Sequence, residues 1–184
     1  LQETPALLLN RPSACIAAWR RTLFTDTGIR FRARGWGEDL CMTRKMLTAA
    51  QSVVILPDVL YLYRQHEGSV TKRALDANAE IMDAIDDVLT WYQARGLFER
   101  YYNELSRLAV DHVLLAASVR VLRVDPESEL LGRFQDYVQA QFPDYLDNPL
   151  LAQLSRSHKL ILRLLRQRKY RTVRALFAAK DKLG

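Results

Sequence analysis

The spacing of apolar residues along the chain changes character near residue 72. Beyond that point apolar residues recur every three to four positions in three long stretches, at residues 74–95, 97–124 and 128–142. This spacing predicts amphipathic helices with one apolar face each. The same criterion predicts two more helices at about 156–168 and 170–182. Residues 72–184 are therefore expected to be all helical.

The pattern before residue 72 is mixed. Two stretches, at 12–24 and 38–50, have helical spacing. The segments at 29–35 and 52–64 are rich in β-branched and aromatic residues and predict short strands, the second bent at Pro57-Asp58. The expected fold class is mainly α, with a small α+β domain at residues 1–71 and an all-helical extension at residues 72–184.

Composition narrows the class of protein without identifying it. Of the 184 residues 49% are hydrophobic and 26% are charged, which is a globular balance. No run approaches the roughly 18 apolar residues of a membrane-spanning helix, and the first residues predict no signal peptide. Cys15 and Cys41 stand apart from each other and from any metal-ligand pattern, so we expect two buried thiols in a reducing cytosol.

Positive charge is concentrated at the C-terminal end. Residues 155–184, the basic tail, hold ten Lys or Arg and one acid, whereas the whole chain carries +6. Basic amphipathic helices are typical of a surface that contacts anionic lipid, here expected through residues 156–182. An ordinary helical hairpin with a solvated basic face remains open as an alternative. Nucleic-acid binding is disfavoured, because no motif of that class is present.

Several candidate catalytic or binding residues lie at one predicted loop-to-helix junction. Trp36, Glu38 and Asp39 lie there among glycines. Roughly 20 residues later a predicted strand leads into a loop that carries Arg64, His66 and Ser69. Loops at strand ends commonly form active sites. The alternatives are that Asp39 merely caps a helix and that Arg64 is a solvated strand-end residue.

The order of these motifs resembles the second half of bacterial family 2 glycosyltransferases, inverting enzymes with the GT-A fold. The matching motifs are GIRF at 28–31, WGEDL at 36–40, ILPDVLYLYR at 55–64 and HEGSVT at 66–71. The WRRTLF motif at 19–24 resembles the helix that precedes the acceptor region in this family. The resemblance covers about residues 11–73.

The resemblance implies a role for each matching residue. Asp39 would be the catalytic base that takes the proton of the acceptor hydroxyl. Glu38 would orient the acceptor or Asp39, and Trp36 would form a platform for the acceptor sugar. The loop with Arg64, His66 and Ser69 would close over the donor diphosphate and its metal, with His66 a lesser candidate for a metal ligand.

The family holds Mg²⁺ or Mn²⁺ and the nucleotide with an Asp-x-Asp motif, which this sequence lacks. We therefore expect the donor-binding half to lie before Leu1, no metal ion to be held within residues 1–184, and this chain alone to be inactive. The resemblance implies a nucleotide-sugar donor and a cell-envelope glycan or teichoic-acid-like acceptor. The expected location is the cytoplasm, peripheral at the inner face of the membrane.

Two further expectations concern assembly. A catalytic domain that lacks half of its fold exposes apolar surface, so self-association is expected. The rival to the enzyme hypothesis is a non-enzymatic helical module for interaction or membrane association, built on residues 72–184.

Overall fold

The computed structural model describes residues 4–33, 35–62, 64 and 78–181. For residues 180 and 181 it describes the backbone only. The described chain is mainly helical. It divides into two compact units, residues 1–97 and residues 98–184.

The first unit is built on two packed helices. Its elements, in chain order, are 3-10 turns at Pro5–Leu9 and Ala14–Ile16, then α1 (Arg21–Thr27), α2 (Glu38–Ala49) and α3 (Glu80–Gln93). Helix α2 packs along α3. Met42 and Met46 of α2 are fully buried with Ile29, and the aromatic rings of Trp19 and Trp91 cover this cluster. Helix α1 ends at Gly28, whose φ of 70° is the left-handed conformation of a helix C-cap.

The second unit surrounds one continuous helical rod. The rod consists of α4 (Tyr102–Ala109), a π-helical stretch (Val110–Ala117) and α5 (Ser118–Val124). The remaining elements are a 3-10 turn at Glu99–Tyr101 before the rod and, after it, α6 (Leu130–Gln141), 3-10 turns at Tyr145–Asp147 and Pro149–Gln153, α7 (Arg156–Arg166) and α8 (Tyr170–Asp181).

The core of the second unit follows the apolar face of this rod. Val113 and Leu114 from the π-helical stretch are buried, as are Phe134 of α6 and Leu165 of α7. Phe142 closes one end, with its ring stacked on Phe98 at a centroid distance of 6.0 Å. Within the described ranges no helix combines the length and the apolar character needed to cross a membrane.

Most of the helical predictions are confirmed for the described residues. Helices occur at 38–49, 80–93, 130–141, 156–166 and 170–181, and the helical rod runs from 102 to 124. The predicted helix at 12–24 forms differently, as the 3-10 turn Ala14–Ile16 followed by α1. No strand is assigned after residue 77 in the part of the chain that is described.

The predicted strands are not formed in the described residues of 29–35 and 52–64. Residues 29–33 and 52–62 have no regular secondary structure, and every side chain from 52 to 62 is exposed. A strand exists only through hydrogen bonds to a neighbouring strand, and the described residues offer no such neighbour. The fold is therefore mainly α, and its described part contains no α+β layer.

The domain boundary predicted at residue 71 lies outside the described residues. Helix α3, which the sequence pattern assigned to the helical extension, belongs to the first unit and packs on α2. Helical periodicity identifies a helix but does not reveal which neighbour covers its apolar face.

Candidate functional site

The junction that begins α2 carries three of the residues singled out by the sequence. Glu38 and Asp39 form the first turn of α2, where backbone N–H groups point outward and the helix dipole favours negative charge. Glu38 is exposed, whereas Asp39 and Trp36 are half-buried. The prediction that Asp39 lies in the first turn of a helix is thereby confirmed.

Helix α3 holds this junction in place. The carboxylate of Glu80, in the first turn of α3, accepts a hydrogen bond of 2.5 Å from the backbone N–H of Trp36. Gly37 has a φ of 90°, and a Cβ added there would lie 2.7 Å from the Cβ of Ala84. Only glycine combines this backbone conformation with such a close approach to α3. The turn before Asp39 is therefore fixed by packing as well as by hydrogen bonding.

Polar contacts continue along the interface between α2 and α3. The Cys41 thiol donates to the backbone oxygen of Ala84 at 3.2 Å. One turn later Lys45 pairs with Asp87 at 2.5 Å, with the Lys45 side chain only 10% exposed. Burial, and next the negative charge of Asp87, raise the pKa of the Cys41 thiol to about 11. These contacts set the register of α2 on α3 and hence the position of Asp39.

A buried arginine joins α2 to the start of the chain. Arg44 is 1% exposed, and its Nη2 donates to the backbone oxygen of Asn10 at 2.5 Å. Desolvation lowers the pKa of Arg44 to about 10. The N–H at Nε has no hydrogen-bond partner among the described residues. Arg44 therefore fixes the N-terminal segment to α2, at the cost of one unsatisfied buried donor.

The structure brings only part of the predicted site together. Trp36, Glu38 and Asp39 are contiguous at the head of α2, and Arg64 is exposed. His66 and Ser69 lie outside the described residues, so the expected approach of Asp39 to the loop at 64–69 stays a prediction. Among the described residues no group of three His, Cys, Asp or Glu side chains is placed to hold a metal ion.

Glu80 and Ala84 are positioning residues that the sequence analysis did not find. They lie more than 40 residues from Trp36 and Gly37, and their own helix reads as an ordinary amphipathic segment. The one available signal was the glycine directly before a Glu-Asp helix start. It indicated a tight turn but not the surface that the turn approaches.

The second candidate site is the basic tail. Most of its Lys and Arg side chains on α7 and α8 are exposed. Its apolar stripes are largely used by the unit's own core, since Ile161, Leu165 and Val173 are buried. Leu160 and Leu176 remain 47% and 43% exposed. The tail thus presents a basic surface with little apolar area left for insertion into a bilayer.

Comparison of this chain with protein-family models, with curated proteins and with solved structures gave no match. The resemblance to family 2 glycosyltransferases therefore rests on the quoted motifs alone.

Proposed function

We propose that this chain supplies the acceptor side and the catalytic base of an inverting glycosyltransferase. The observation that carries the proposal is the position of Asp39, in the first turn of a helix whose preceding turn is fixed by Glu80 and Ala84. Inversion needs one carboxylate that takes the proton of the acceptor hydroxyl as it attacks the anomeric carbon. A general base acts only within hydrogen-bond reach of that hydroxyl, so a fixed helix start suits the task.

The neighbouring residues have supporting roles in this proposal. Trp36 offers a half-buried indole beside Asp39, suited to stacking on a sugar ring, and Glu38 offers an exposed carboxylate for acceptor hydroxyl groups. Arg64 would neutralise the leaving diphosphate together with His66 and Ser69. Mg²⁺ or Mn²⁺ would enter with the nucleotide-sugar, bound by a donor-binding half that carries an Asp-x-Asp motif.

The α+β character predicted for residues 1–71 belongs to the same proposal. Residues 53–56 are a continuous β-branched and aliphatic run, typical of strands covered on both faces. We propose that residues 52–62 become a strand when the sheet of the donor-binding half lies beside them. Their exposure in the described chain supports this proposal.

The test is a transfer assay on the natural gene product that carries this sequence. Asp39→Asn should lower the transfer rate by about 10²–10⁴, the contribution typical of a positioned general base. Binding of the nucleotide-sugar should be nearly unchanged, because Asp39 acts on the acceptor. Asp83→Asn, the same change at an exposed position of α3, is the control and should transfer at the wild-type rate. Wild-type transfer by Asp39→Asn would remove the residue from this role.

A helical membrane-association module is the second candidate function, favoured by the exposed basic face of α7 and α8. In this proposal the second unit holds the protein reversibly at the cytoplasmic leaflet. Each Lys or Arg near an anionic surface contributes about 1 kcal/mol, and the effect decays within a Debye length of about 8–10 Å. Co-sedimentation with phosphatidylglycerol vesicles should therefore be strong at low salt and weak at high salt. Equal binding to phosphatidylcholine vesicles would contradict this function.

A further inference from the structure

A groove of about 340 Å³ lies within the second unit, between the 3-10 turn Pro149–Gln153 and helix α7. Its wall combines two kinds of side chain. Leu151, Leu154 and Leu162 give it an apolar surface, and Lys159, Arg163 and Arg166 give it three positive charges. A pocket of this size accommodates a small polar group together with a short hydrocarbon segment.

The three basic residues lie on one face of α7. Their spacing of four and then three residues places them one above another along the helix. Lys159 is held at the groove, since its Nζ donates to the backbone oxygen of Ala152 at 2.7 Å. The described residues that line the groove include no Asp or Glu. The groove is therefore a local concentration of positive charge beside an apolar wall.

Other arginines of the tail are placed differently. Arg171 forms an ion pair with Glu127 at 3.0 Å, and Arg168 lies 3.7 Å from the carboxylate of Asp136. Their charges are partly compensated within the protein, whereas the groove brings three basic groups together without a carboxylate in its wall. An anionic ligand should accordingly prefer the groove to the rest of the basic tail.

We propose that this groove binds the headgroup of one anionic phospholipid. The lipid phosphate would contact Lys159, Arg163 and Arg166, and the first methylene groups of the acyl chains would lie against Leu151, Leu154 and Leu162. The volume fits a phosphate, its glycerol and a few methylenes, with the remaining chain left in the bilayer. The inference rests on the proposed membrane-association function and adds the site and the class of lipid.

The burial of the tail's apolar stripes supports a headgroup site. Ile161, Leu165 and Val173 pack inside the unit, so α7 and α8 cannot insert an apolar face without unfolding part of it. Charge alone gives weak, non-selective attachment that salt screens. A groove that contacts both the phosphate and the adjoining hydrocarbon adds affinity that depends on the lipid itself.

The test is titration of the chain with dihexanoyl phosphatidylglycerol below its micelle concentration, followed by NMR of the backbone amides. Amide shifts should concentrate in residues 146–166. Inorganic phosphate at the same concentration should give much smaller shifts, because it lacks the hydrocarbon part. Shifts of equal size with inorganic phosphate would reduce the groove to a simple anion site and overturn the proposal.

Two double variants with the same change in net charge test whether lipid binding depends on the groove or only on the overall positive charge of the tail. Arg163→Glu/Arg166→Glu should weaken lipid binding by about tenfold or more, as expected from the loss of two basic contacts. Arg156→Glu/Arg174→Glu changes the net charge equally at exposed positions outside the groove wall and should bind the lipid nearly as the wild type does. Far-UV circular dichroism checks that both variants keep their helices. Equal weakening in both double variants would overturn the proposal.

Vesicle binding distinguishes this inference from the function on which it rests. If the chain binds the short-chain lipid at residues 146–166 but does not sediment with anionic vesicles, the membrane-association function is wrong. The proposal that the groove binds a lipid headgroup is then still supported. If vesicles bind the wild type and both double variants alike, membrane association stands and the groove proposal is wrong.

Discussion

Two regions of this chain have similarly apolar sequences and opposite surroundings. In the second unit most apolar residues of the rod and of α6 are buried, although Val124 at the end of the rod is 66% exposed. In the first unit the residues from Val53 to Leu62 are exposed, with Val54, Val59 and Leu62 at 79%, 82% and 86%. Hydrophobicity by itself therefore does not decide burial. A helix satisfies its own backbone and needs only a neighbouring apolar face, whereas a strand needs a partner strand before its side chains can be covered.

The two regions should differ most in how much stability the protein loses when one apolar side chain is truncated. Phe134→Ala removes a fully buried ring from the second unit and should lower its free energy of unfolding by about 3–5 kcal/mol. Val54→Ala, at an exposed position of the first unit, should change stability by no more than about 0.5 kcal/mol. Urea unfolding followed by circular dichroism measures both. Comparable losses would mean that residues 53–62 are packed in solution.

The two cysteines extend the comparison to a titrating group. Cys15 is exposed, so the expectation of two buried thiols is wrong for this residue. Cys41 is buried, and burial raises the pKa of its thiol from the ordinary 9.0 to about 11. A thiol whose pKa is higher in the folded state stabilises the fold below pH 9, and this contribution is lost as the pH rises through 11. The loss should reach about 2–3 kcal/mol, from 1.36 kcal/mol per pKa unit.

Urea unfolding between pH 8 and pH 11 checks this expectation. The stability of the wild type should fall over that range more steeply than that of Cys41→Ala, which lacks the buried thiol. Cys15→Ala is the matched control and should follow the wild-type curve. If the stability of the wild type and of Cys41→Ala fell equally steeply with pH, the loss could not be attributed to the Cys41 thiol.

The exposed apolar run should also govern self-association. Ile55 is 75% exposed, so Ile55→Lys should leave the fold intact while it weakens association of the chain with itself. Sedimentation velocity over a concentration series should show a smaller weight-average mass for this variant than for the wild type. Leu160→Lys, at a partly exposed position of α7, is the control and should associate as the wild type does. A wild type that stays monomeric throughout would refute the expectation.

The sequence by itself determined most of the helices. At α2, α3, α6, α7 and α8 the apolar spacing located each helix to within a few residues. Helix α3 begins at Glu80, and residues 74–77 of the predicted helix lie outside the described residues. Gly28 ends α1 in the left-handed conformation typical of a helix C-cap, which is a local signal as well. The position of Asp39 in the first turn of α2 also followed from the sequence, since a Glu-Asp pair after a glycine is a local signal. These features depend on contacts within a few residues, which the sequence displays directly.

Only the tertiary structure decided which surfaces meet. It paired α3 with α2, placed Glu80 and Ala84 against the turn before Asp39, and left residues 52–62 exposed and without regular secondary structure. It also buried the apolar stripes of the tail and gathered Lys159, Arg163 and Arg166 at one groove. The physical reason is the same in each case. Helix formation is satisfied locally by hydrogen bonds four residues apart, whereas strand pairing, burial and charge clustering depend on residues far apart in sequence that only the packed fold brings together.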